Sequence, residues 1–94
     1  MTTFIMLGKY SSESVKHISI GRSTKGIETI QHCGGKFVSA YAMLGDFDIL
    51  LIAEFPSVND AIQASVALNR VMGITFSSVP AIHYEEFDEL VGVN

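Results

Sequence analysis

The side chains of this 94-residue chain with the most chemistry to offer are three histidines, a lone cysteine and a pair of aspartates around Phe47. Asp46 and Asp48 lie two positions apart. In an extended segment such positions point the same way, so the two carboxylates could hold a cation or act as an acid–base pair. Aspartate also suits turns, where it accepts backbone hydrogen bonds. His17 follows the first apolar segment, where a pocket between sheet and helix would open, and an imidazole there could move a proton near neutral pH. Tyr41 shares a period-two face with Phe37, Ser39 and Met43, opposite Ala40 and Ala42. Its hydroxyl could enter the same pocket or find a single partner in the core. His17, Tyr41 and Asp48 are therefore the catalytic candidates. Tyr10, Arg22, Asp46 and His83 are the candidates for ligand binding. Arg22 could hold an anionic group or pair with a nearby glutamate.

Other chemistries lack their residues. His17, His32 and His83 form neither a His-x-x-x-His nor a His-Glu-x-x-His spacing, so no metal site is expected. His32 falls in the last turn of a predicted helix, where the dipole favours positive charge. Its neighbour Cys33 points elsewhere on that helix and reads as a small buried apolar residue. No Gly-x-Gly-x-x-Gly run, phosphate-cradling loop or Ser-His-Asp arrangement occurs, so no cofactor is expected.

Strands and helices must position these groups. Residues 3–10 are short, apolar and partly β-branched, which predicts a strand. A short helical piece near 12–18 and a main helix near 22–33 follow, the latter ending at Gly34 and Gly35. Residues 36–44 and 47–55 read as an antiparallel hairpin. Ser57 can cap a helix over 58–72 whose core stripe reads as Val58, Ala61, Ile62, Ser65, Leu68 and Met72. Ala64, Ala67 and Val71 form a second small strip outside it. A fourth strand over 74–83 and a tail helix over 84–91 complete the chain. The order β-α-β-β-α-β is the split-βαβ, ferredoxin-like pattern of a single α+β domain spanning 1–94. The first and third strands are central in that topology, and Pro80 suits the fourth as an edge.

One consequence concerns partners. The run Ile49 to Ala53 is apolar on both sides, as in a strand buried on both faces. Two helices cover only one face of a four-stranded sheet. A second copy, packed sheet to sheet, is the simplest cover, so a homo-oligomer, a dimer or a multiple of dimers, is expected. Charged residues make up only 17% of the chain, low for a small domain with all its surface in water. The net charge is −4 and the six Lys and Arg are scattered, so nucleic acid is not an expected partner. No apolar run approaches the ~20 residues of a membrane span. MTTFIMLGKY reads as a strand rather than a signal peptide, and the cytoplasm is the expected location.

In order and spacing, several short motifs resemble the GYD domain family. They are the opening Phe4-Ile5-Met6-Leu7-Gly8-Lys9-Tyr10, Arg22 early in the main helix, Leu44-Gly45-Asp46-Phe47-Asp48 at the hairpin, and Glu54-Phe55-Pro56 before the second helix. Phe47 stands where the family usually has Tyr, so a role for that hydroxyl is absent here. Pro80 stands where members often carry a basic residue. The resemblance implies a ferredoxin-like fold of the dimeric α+β barrel type and implies no activity, since one fold hosts many functions. The resulting expectation is a small homo-oligomer that binds a small, largely apolar molecule between sheet and helices. The alternative is a non-catalytic interaction or regulatory module whose role is assembly.

Overall fold

The apolar runs form four antiparallel strands with helices packed on one face. The computed structural model describes residues 1–93. The elements are β1 (Thr2–Tyr10), α1 (Ser12–Val15), α2 (Ile20–His32), β2 (Lys36–Ala42), β3 (Ile49–Phe55), α3 (Val58–Met72), β4 (Ile74–Ala81) and α4 (Tyr84–Val91). The sheet order is β2-β3-β1-β4, so β1 and β3 are central and β4, with Pro80, is an edge. This is the expected ferredoxin-like arrangement.

Local chemistry sets the element ends. Ser11, Ser19 and Ser57 each accept a backbone N–H from the first turn of α1, α2 and α3, satisfying donors that a helix start leaves unpaired. Gly73 ends α3 in the left-handed region at φ 68°, a conformation that costs a side-chain-bearing residue more.

The core lies between the sheet and α2 and α3. Phe4, Met6, Leu51, Ala53 and Phe55 from the central strands meet Ile30 of α2 and Ala61, Ala64, Leu68 and Met72 of α3. The Phe4 and Phe55 rings meet edge to face at 5.9 Å. The core stripe of α3 differs from the sequence reading. Ala64 is fully buried, whereas Val58 and Ile62 are exposed. The buried stripe Ala61, Ala64, Leu68, Met72 begins with two alanines, so the helix can lie close to the sheet. Val58, Ile62 and Val66 are left on a flank beside β4.

The second face of the sheet is uncovered and apolar. Pairing places Ile5 opposite Ile52 and Val79, and Leu7 opposite Leu50. These residues alternate with buried Phe4, Met6, Leu51 and Ala53 along their strands, so they point away from both helices. No residue of α4 is buried. It runs on past the end of β4, and the molecule measures 53 × 29 × 19 Å.

Candidate functional site

The upper end of the sheet collects four of the seven candidate residues. Tyr10 ends β1, Asp46 and Asp48 lie in the β2–β3 connection, and Arg22 lies in the first turn of α2. Asp48 Oδ2 accepts the Tyr10 backbone N–H at 2.9 Å. The Arg22 guanidinium lies 5.7 Å from the Tyr10 ring centroid and donates to the Ser14 carbonyl at 2.8 Å. Arg22 thus uses a ring and a carbonyl rather than the expected glutamate. Stacking suits its flat, weakly hydrated group. Asp48 fastens the hairpin to β1 through a charge-assisted bond. The ammonium of Lys9 lies 5.5 Å from the Phe47 ring centroid.

Of the remaining three candidates, His17 borders this cluster, its backbone N–H sharing the Ser14 carbonyl with Arg22, while Tyr41 and His83 lie elsewhere. His17 is exposed after α1 and meets Glu13 at 3.1 Å. His83 is at the opposite end of the sheet, where its Nδ1 accepts the Glu85 N–H at 3.3 Å and caps α4. Tyr41 is on the uncovered sheet face, 61% exposed, rather than in a pocket beneath the helices. The cause is a β-bulge. The pairing of β2 with β3 shifts between Phe37 and Ser39, so Phe37 opposes Ala53 and Tyr41 opposes Leu50. One extra residue, Val38, turns Phe37 and Tyr41 to opposite faces. Among the described residues, no three His, Cys, Asp or Glu side chains gather as a metal ion would need.

The space beneath the helices is tightly packed at Gly8 and Gly35. A Cβ on Gly8 would come within 2.8 Å of Ile49, Ile74 and Phe76, and one on Gly35 within 2.4 Å of Phe55. Two open hollows lie at the edges of this packing. The first, about 420 Å³, runs between α3 and β4 along Phe4, Ile62, Val66, Phe76 and Pro80. Within it the Ser65 and Ser78 hydroxyls pair at 3.0 Å. Its signal in the sequence was the apolar trio Val58, Ile62 and Val66, which exceeds what the core of α3 uses.

The second hollow, about 860 Å³, lies between α2 and α3 on the outer surface of the helix layer. Val66, Ala67 and Val71 form its apolar side, and Lys25, His32 and Arg70 also line it. Cys33 opens into it. Partial burial raises the Cys33 thiol pKa above its ordinary 9.0, and the Asp60 carboxylate adds to the rise. A thiol so placed is neutral and a weak nucleophile at neutral pH.

Comparison with known proteins accords with this architecture. The chain finds no match among curated proteins. Among solved structures it is similar to the leucine response regulatory protein LrpA of Mycobacterium tuberculosis, with a TM-score of 0.59 and 7% sequence identity. The match covers 87% of this chain and 51% of that one, so the chain spans about half the length of LrpA. At that identity the likeness shows the fold alone. The family model for the GYD domain matches residues 4–91. With that match over nearly its whole length, the chain belongs to the GYD domain family.

Proposed function

We propose that the protein is a homo-oligomeric binding module. Two copies meet sheet to sheet, and each keeps the groove between α3 and β4 for a small, largely apolar molecule. The observation that carries this reading is the uncovered apolar sheet face formed by Ile5, Leu7, Leu50, Ile52 and Val79. Ile5, Leu7, Leu50 and Ile52 are already half-buried, so covering each contributes less than the about 1.5–3 kcal/mol of burying a fully exposed side chain. A self-complementary patch on a small domain is the usual basis of a two-fold dimer. The groove supports the binding role through its apolar walls and single hydroxyl pair, a composition common in small-molecule sites.

Binding is favoured over catalysis by how the catalytic candidates are engaged: His17 meets Glu13 at the surface, and Tyr41 lies on the sheet face away from the helices. The Asp48 carboxylate is engaged by Tyr10, and no hydrogen bond joins the three among the described residues. LrpA is by its name a regulatory protein that responds to leucine. A related fold together with an apolar groove of about 420 Å³ supports a sensing role here.

Native mass spectrometry of freshly purified protein tests both parts. The expected result is a dimer or a multiple of dimers, with extra mass that Ser65→Leu, which fills the groove, removes. The variant Ile52→Asp should halve the mass of the sheet-paired unit. A stable wild-type monomer at micromolar concentration refutes the dimer. Extra mass that persists in Ser65→Leu refutes the groove.

A further inference from the structure

We propose that the acidic helix α4 of one copy docks in the groove between α2 and α3 of another, joining sheet-paired dimers into a larger assembly. Helix α4 is amphipathic. Tyr84, Phe87, Leu90 and Val91 recur at helical spacing, and all are exposed, Leu90 at 73%. Glu85, Glu86, Asp88 and Glu89 occupy the positions between them. The other six acids of the chain equal its six Lys and Arg in number. The entire formal charge of −4 is therefore carried by α4. A helix this short, with no buried residue, has little independent stability, and packing its apolar side would supply it.

The groove between α2 and α3 has the complementary chemistry. Its apolar side is Val66, Ala67 and Val71, with Val66 and Val71 more than 40% exposed. Lys25 and Arg70 line it, with His32 near one end and Glu28 as the opposing charge. Among the described residues neither Lys25 nor Arg70 has an acidic partner within salt-bridge distance. An amphipathic helix laid in such a groove would bury its apolar side and set its acids beside two unpaired cations.

Geometry selects another copy as the source of the helix. Only Ile82 and His83 connect β4 to α4, and the three Cα-to-Cα steps from Ala81 to Tyr84 span at most about 11 Å, less than the path around α3 to the outer surface of the helix layer. The body of α3, about 10 Å across with its side chains, lies between β4 and the α2–α3 groove. A chain therefore cannot fill its own groove. Its sheet-paired partner cannot accept the helix readily either, because that partner turns its helix layer away from the shared interface. The helix belongs with a copy outside the sheet-paired dimer, so the assembly exceeds two. This step rests on the sheet-to-sheet reading.

Light scattering on the full-length chain tests the idea, with charge reversal in the groove and in the arm. Wild type should have at least the mass of two dimers. Lys25→Glu with Arg70→Glu should reduce it to a dimer. Adding Glu85→Lys and Glu89→Lys to that variant should restore the larger species, an outcome that a folding defect would not give. A wild-type dimer, or a larger species indifferent to the groove charges, overturns the proposal. The variant Ile52→Asp separates the two interfaces. If it halves a wild-type dimer that the groove reversal leaves intact, the sheet contact stands and the arm contact fails. If the groove reversal breaks an assembly that Ile52→Asp leaves whole, the arm contact stands between copies and the sheet contact fails.

Discussion

Replacing Gly8 by alanine measures how closely the sheet and its cover are packed. Gly8 is on β1, paired with Ile49 on β3 and Phe76 on β4. An added Cβ would stand 2.6 Å from Ile49 Cγ2, 2.7 Å from Ile74 Cγ2 and 2.8 Å from the Phe76 ring. Ordinary carbon contacts begin near ~3.5 Å, so each neighbour must retreat by nearly ~1 Å. Two of the three atoms belong to isoleucines, whose branched Cβ leaves little freedom at χ1. Overpacking of this kind costs about 1–3 kcal/mol, and stiff neighbours favour the upper half of that range. Removing a glycine from a strand returns about 0.5–1 kcal/mol through the unfolded chain. The net expectation is a loss of about 1–2 kcal/mol. For a domain of this size that lowers Tm by roughly 5–15 °C. Gly21→Ala is the matched control. It makes the same chemical change in the first turn of α2, with no atom within 4 Å of the new Cβ. Helix propensity alone should then raise stability by up to about 1 kcal/mol. The assay is urea and thermal unfolding followed by circular dichroism at one protein concentration, because assembly makes Tm concentration-dependent. Gly8→Ala as stable as wild type, or a shift of the same sign for both variants, refutes the close-packing argument.

Three other outcomes follow from named contacts. Asp48→Ala leaves the half-buried Tyr10 N–H without its 2.9 Å acceptor and should lower stability by about 1–2 kcal/mol in urea titration. Ser14→Ala removes the buried hydroxyl that donates to the Met72 carbonyl; a loss of about 1 kcal/mol is expected, with hydrogen exchange rising first at the C-terminal turn of α3. Cys33 should react slowly with iodoacetamide at neutral pH, and Asp60→Asn should speed the reaction by removing one of the two causes of its raised pKa. The same shift sets a sign for stability. Above about pH 9 the unfolded thiol ionises while the folded one keeps its proton, so the Cys33 contribution is present below that pH and declines as pH rises further.

Several features were legible because they depend on residues near one another in the chain. Alternation and composition identified all four strands, Ser57 marked the start of α3, and glycines marked the ends of α2 and α3; α2 starts at Ile20, capped by Ser19, rather than near residue 22. The apolar run Ile49 to Ala53 marked a central strand, and its second face proved to belong to an uncovered apolar surface. The candidate residues were less legible. Grouping Tyr41 with Phe37 assumed an unbroken period of two, and one bulge at Val38 reverses the relation. Pairing Arg22 with a glutamate assumed a surface setting, whereas the fold brings the Tyr10 ring to it from β1.

The histidines, the cysteine and the paired aspartates were thus visible in the sequence by type, while their company was not. Local periodicity, turn chemistry and charge counts determined the element order, the central strands, the apolar character of both sides of β3 and the acidic character of α4. The tertiary structure decided which face Tyr41 occupies, that Ala64 belongs to the core and Ile62 to a groove, and that α4 leaves its apolar side unburied. The physical reason is range. Periodicity records which side of an element is apolar, whereas a bulge, a close helix approach or a groove depends on how segments far apart in sequence meet.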